Sequence, residues 1–222
     1  MGEKIGFKLN WPGKPKDVAY GISRWDAKTK RWVDLVDIAM TKQPSTEFTK
    51  DGFQMQLIEV RYAAPVAGTY RFDIDYGGGS GAKLTSLAYD ENTDSYTGAR
   101  PFTYPTLAVG YTQSPAYFYI PKGIKSLDFE VWGPPAGKVL QLHTGLPGTG
   151  MKQTRKIELV KQGTQRVKLN PGEDGSIAFF AGDLFNMPQL YSVPQLWAKA
   201  PDVLLVSRAI AQADGLTVVQ TP

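Results

Sequence analysis

His143 is the single histidine in 222 residues, and there is no cysteine. A metal site built on two histidines and any thiol chemistry are therefore excluded. A serine nucleophile would have to use His143 as its base, and no serine sits in a G-x-S-x-G elbow. In the run Leu140, Gln141, Leu142, His143 the leucines share one strand face and His143 the other. It reads as a half-exposed strand histidine. Carboxylate pairs are the remaining catalytic material. Asp73 with Asp75 and Asp128 with Glu130 lie two residues apart, which puts each pair on one strand face. Hydrolysis of a glycosidic bond needs two such groups. The same spacing recurs on the wet face of ordinary strands, and that is the reading favoured for both pairs.

Asp90, Asn92 and Asp94 form an oxygen-rich turn. Hard cations such as calcium take oxygen ligands of this kind. A structural calcium is thus the one metal the sequence suggests, although an ordinary Asx-type turn accounts for the same residues. No other cofactor is indicated. Aromatic residues make up 12% of the chain. Sugar rings offer apolar C–H faces that stack on indole and phenol rings. Trp25 and Trp32 flank a polar hairpin tip, and Trp132 falls on the Asp128/Glu130 face by alternation. These three are the candidate ligand contacts. Trp11 and Tyr70 are expected in the core.

The elements that must position these residues are strands. Tyr70, Phe72, Ile74 and Tyr76 alternate with Arg71, Asp73 and Asp75. Leu127, Phe129 and Val131 alternate with Asp128, Glu130 and Trp132. Both patterns are those of a sheet with one wet face. Further strands are expected over 5–11, 18–22, 32–38, 53–62, 84–89, 117–120, 139–144 and 177–180, with 42–52 as a loop. Residues 156–160 and 165–169 read as a hairpin, and 170–175 as a turn. The glycine-rich 77–81 has neither the Lys-Ser/Thr ending nor the helix of a phosphate-cradling loop. Residues 201–214 suit a helix, or a buried strand over 203–206. Short strands at this spacing, roughly seven or eight per half, predict an all-β protein. The expected architecture is two tandem antiparallel β-sandwiches, jelly-roll or immunoglobulin-like, over 1–110 and 111–222.

The net charge of +4, from 25 basic and 21 acidic residues, is scattered. No nucleic-acid partner is expected. No apolar stretch reaches the ~20 residues of a membrane span. The opening residues MGEKIGFKLNW hold no apolar signal region. Export would rely on a leader outside this sequence.

The run Tyr117, Phe118, Tyr119, Ile120, Pro121, Lys122, Gly123, followed by Leu127 to Val131, resembles the opening of accessory β-sandwich domains. Such domains are appended to bacterial glycoside hydrolases and related secreted proteins. Gly172, Glu173, Asp174, Gly175 is similar to a later turn of that family, and Tyr191, Ser192, Val193, Pro194 to a segment before its last strand. The tryptophan expected after the turn is absent, and Phe179 or Phe180 stands near its place. The resemblance covers 115–222 and carries no catalytic signature. It implies a secreted bacterial protein, extracellular or periplasmic, joined to other domains of a larger chain. The leading expectation is a non-catalytic carbohydrate-binding or scaffolding module whose contacts run through aromatics rather than charge. The alternatives are a polysaccharide hydrolase or lyase using acidic or tyrosine residues, and a structural interaction domain with no sugar ligand.

Overall fold

The computed structural model describes residues 4–12, 17–38, 40–75, 82–88, 116–131, 139–159, 163–182, 188–198 and 200–217, of which 4–12 and 82–88 are described by their backbone. The chain is all-β, with one short α-helix among the described residues. The strands are β1 (Lys4–Pro12), β2 (Asp17–Asp26), β3 (Arg31–Val36), β4 (Lys42–Pro44), β5 (Thr46–Lys50), β6 (Phe53–Ala63), β7 (Gly68–Asp75) and β8 (Ala82–Ala88). There follow β9 (Phe118–Ile120), β10 (Ser126–Val131), β11 (Val139–Gly145), β12 (Gln153–Glu158), β13 (Gly163–Lys168), β14 (Ser176–Gly182) and β15 (Gln189–Leu190). The helix α1 spans Arg208–Asp214. Two compact units result: Met1–Trp25 with Trp32–Tyr104, and Asp26–Arg31 with Pro105–Pro222.

In the first unit β3-β2-β7-β8 form a sheet, with β4 paired to β2, and β1-β6-β5 form another. The alternation of β7 does what its sequence implies. Tyr70 and Phe72 are fully buried and Ile74 nearly so, while Asp75 is exposed. They share a core with Val18 and Ile22 of β2 and with Ile58 and Val60 of β6. Both sheets thus bury one face on common apolar contacts. Each such side chain contributes roughly 2 kcal/mol of transfer free energy.

The second unit has the sheets β12-β11-β14-β9 and β13-β10-β15. Leu127, Phe129 and Val131 of β10 point inward with Leu140 and Leu142 of β11 and Phe118 of β9. Phe129 meets Phe180 of β14 with ring centroids 4.8 Å apart, and Phe118 stacks on Phe180 at 5.6 Å. Trp197 adds an edge contact to Phe118 at 5.1 Å. Rings from both sheets therefore interlock in one core.

Three local expectations change. Residues 42–52 carry β4 and β5 instead of a loop. Pro44 is tolerated there because it ends β4, where a missing amide donor costs little. The strands β12 and β13 are not a hairpin: β12 pairs with β11 and β13 with β10. The stretch 201–214 divides into a 3-10 turn, Pro201–Val203, and α1. Ser207 caps α1 by accepting from the Ile210 amide, and Gly215, at φ 68°, closes it in the left-handed conformation.

Candidate functional site

The outward face of the β12-β11-β14-β9 sheet carries a row of rings. β11 and β14 are antiparallel with His143 opposite Phe179, and β12 places Thr154 on the other side of His143. The β14–β9 ladder runs Ile177 to Tyr119 and Ala178 to Phe118. Its next step brings Phe179 to Tyr117, whose amide and carbonyl bridge Ala198 at 2.9 Å each. Three strands and the bridge residue just before β9 thus contribute one cross-sheet line: Tyr117, Phe179, His143, Thr154. The three rings are half-buried and Thr154 is exposed.

Phe179 and His143 lie face to face, with centroids 4.4 Å apart and planes at 3°. Tyr117 meets Phe179 at 5.2 Å with its plane turned by 64°. Each ring of the parallel pair spends a face on the other, whereas Tyr117, half-buried, is set at an angle to the pair. Thr154 Oγ1 and His143 Nδ1 are 2.9 Å apart, a hydrogen bond that fixes the imidazole plane. Partial burial lowers the His143 pKa from its ordinary value. The ring is therefore neutral at pH 7 and acts as an aromatic surface. Gln141 and Lys156, opposite each other in the ladder, lie on the same face one step along.

Trp25 and Trp32 stand at the end of β2 and the start of β3. Their rings meet edge to face at 5.3 Å, and the Arg71 guanidinium lies 4.6 Å from the Trp32 centroid. Trp25 is 5% exposed and Trp32 half-buried. Trp132 and the trio Asp90, Asn92 and Asp94 lie outside the described residues. Tyr70 is a core residue, as expected.

The acidic pairs have partners. Asp128 receives a bidentate fork from Arg166, with both contacts at 2.7 Å, and Glu130 accepts from the Tyr191 hydroxyl. Asp73 pairs with Arg71 at 3.1 Å. Among the described residues no three metal-ligating side chains gather in one place. No described helix is long and apolar enough to cross a membrane.

A second polar centre escaped the sequence. The Asp214 side chain is fully buried and pairs with Lys30 Nζ at 2.7 Å. It also accepts from the Tyr119 hydroxyl at 3.0 Å and the Lys122 amide at 2.8 Å, while Lys122 Nζ donates to the Asp214 carbonyl. Burial first, and then the Asp214 charge, push the Tyr119 pKa well above its ordinary value. Every contact here fixes the end of α1; nothing in it offers a reactive group to a ligand. The turn that supplies Lys30 is shaped by Asp26, whose carboxylate accepts from the Lys28 amide and the Thr29 hydroxyl.

No family model matches the chain, and neither a curated protein nor a solved structure does.

The ring row contains no tryptophan, the residue type that most readily suggests a sugar contact in a sequence. Two adjacent aromatic pairs, Tyr117-Phe118 and Phe179-Phe180, held the signal. A strand of period two cannot bury both members of such a pair on one face.

Proposed function

We propose that the chain is a non-catalytic carbohydrate-binding or scaffolding module of a secreted polysaccharide-active protein, built as two tandem β-sandwiches. The observation that carries this reading is the row of Tyr117, Phe179 and His143 on an outward sheet face. A neutral histidine locked flat on Phe179 makes a rigid apolar ridge. Tyr117 beside it has a ring face for the C–H side of a pyranose. Thr154 and Gln141 supply polar groups at hydroxyl height, which gives the mixture typical of small-ligand sites. Asp73, Asp128 and Glu130 of the two carboxylate pairs are engaged by Arg71, Arg166 and Tyr191, which favours binding over catalysis. The sandwich arrangement is supported by Phe129 and Phe180 meeting across two sheets.

The test is a glycan array on the intact chain, followed by titration of the best ligand against Tyr117→Ala and Phe179→Ala. A stacked aromatic at a binding centre is worth about 2 kcal/mol, or about thirtyfold in affinity. Each variant should lose that much affinity while still unfolding cooperatively, at a somewhat lower melting temperature because both rings are partly packed. Trp25→Ala, Trp32→Ala and Trp132→Ala belong in the same panel. Loss confined to those three would move the site to the tryptophans. Absence of any glycan ligand would leave the structural interaction domain as the better reading.

A further inference from the structure

The strand at the His143 end of the ring row is β12, whose outward residues are Thr154, Lys156 and Glu158, with Lys152 just before it. Thr154 and Lys156 face outward by their pairing with His143 and Gln141. Lys152 precedes Thr154 by two, and its amide donates to the Thr144 carbonyl at 3.0 Å, which holds the start of the strand in line. Lys152, Thr154 and Lys156 are all exposed. Among the described residues neither lysine has a carboxylate partner within ion-pair distance. The one acid in the series, Glu158, lies beyond Lys156 opposite Val139, on the side away from His143. The row is thus an aromatic ridge bordered by two ammonium groups.

Building on the carbohydrate reading above, we propose that the ligand is an anionic glycan, carrying uronic acid carboxylates or sulfate esters. Its ring C–H faces rest on Tyr117 and the ridge, and its acid groups lie against Lys152 and Lys156. The electrostatics of the row separate the two roles. An aromatic face carries negative quadrupole density and repels an anion, so the acid groups are kept off the rings. The lysines sit beside the ridge, where those groups would fall. A neutral glycan could accept hydrogen bonds from the ammonium groups but would gain no attraction between opposite charges. Both sites are solvated, so the contribution must fall as salt rises.

Matched polymers on the intact chain test this. Oligogalacturonate is compared with its methyl ester, and dextran sulfate with dextran, by calorimetric titration at low and high salt. The anionic member of at least one pair should bind about tenfold tighter at low salt, with the gap closing at high salt. A preference confined to the first pair assigns carboxylates, and one confined to the second assigns sulfate esters. Lys152→Gln combined with Lys156→Gln should abolish the preference; both positions are exposed, so folding is checked by an unchanged melting temperature. Equal binding within both pairs overturns the anionic inference and leaves the carbohydrate reading standing. A preference that survives in the double variant overturns the assignment to these lysines. Failure of all four polymers, together with a blank glycan array, removes the carbohydrate reading itself. Equally tight binding of single-stranded DNA replaces it with general polyanion binding.

Discussion

His143 faces outward as its alternation with Leu140 and Leu142 implies, but its ring partner is not local. Phe179 is its neighbour only because β11 and β14 pair in one register. Period-two patterning tells which way a side chain points, not which strand lies beside it. A pH dependence follows from the same residue. Burial lowers the folded-state pKa below the ordinary value of 6.5. The unfolded chain therefore takes up the proton first as pH falls. This part of the stability is complete above pH 6.5 and is lost as pH drops through the folded value. His143→Gln should flatten the slope of stability against pH between about 7.5 and 5, measured by urea unfolding; an unchanged slope would show that other groups set it. Tyr119 offers a second prediction at this scale. Tyr119→Phe removes a hydroxyl donor from the buried Asp214 carboxylate. A hydrogen bond to a charged group contributes about 1.5–3 kcal/mol. The denaturation midpoint should fall accordingly, and glycan affinity should not change.

At the level of strands, most positions were legible and most partnerships were not. The hairpin expected between β12 and β13 rested on the polar Lys161, Gln162, Gly163, Thr164, which has turn chemistry. What overrode it was the demand of β10. Its buried Leu127 and Phe129 lie opposite Val167 and Gln165 of β13. Meanwhile Ile157 of β12 pairs with Leu140 of β11. Each amphipathic strand completes a different apolar face, and no local rule ranks those choices. The polarity of the stretch 42–52 suggests a loop, yet short polar strands at sheet margins are common because they resist edge-to-edge association. Gly145, the last residue of β11, has a stricter role. A Cβ there would lie 1.9 Å from the Gly150 carbonyl oxygen, which is backbone and cannot rotate away. Gly145→Ala should destabilise the chain by roughly 1–3 kcal/mol, read as a lower melting temperature. A neutral effect would mean that the Gly148 to Gly150 turn repacks freely.

For the molecule as a whole, composition and strand spacing were enough for the all-β class. The grouping of the chain was not readable, because it depends on one short turn. Residues 26–31 group with 105–222, although β2 and β3, which they join, lie mainly in the first unit. Nothing in Lys28, Thr29 and Lys30 distinguishes them from any polar hairpin tip; only the buried Asp214, 184 positions away from Lys30, does. A fragment covering 105–222 should still unfold cooperatively, since it retains β9 to β15 and their core. It should be less stable than the intact chain, and Lys30→Met in the intact chain should reproduce the deficit. Removing one partner of a buried ion pair costs about 3–5 kcal/mol. A fragment as stable as the parent would show that Asp214 does not depend on its lysine. For inheritance, this interleaving means that a single recombination breakpoint near residue 105 moves the later strands into a new gene but leaves Lys30 behind. A recipient can accept the transfer at full stability only if it already carries a cation in the matching turn, so shuffling of this half is filtered by six residues encoded far upstream of the cut.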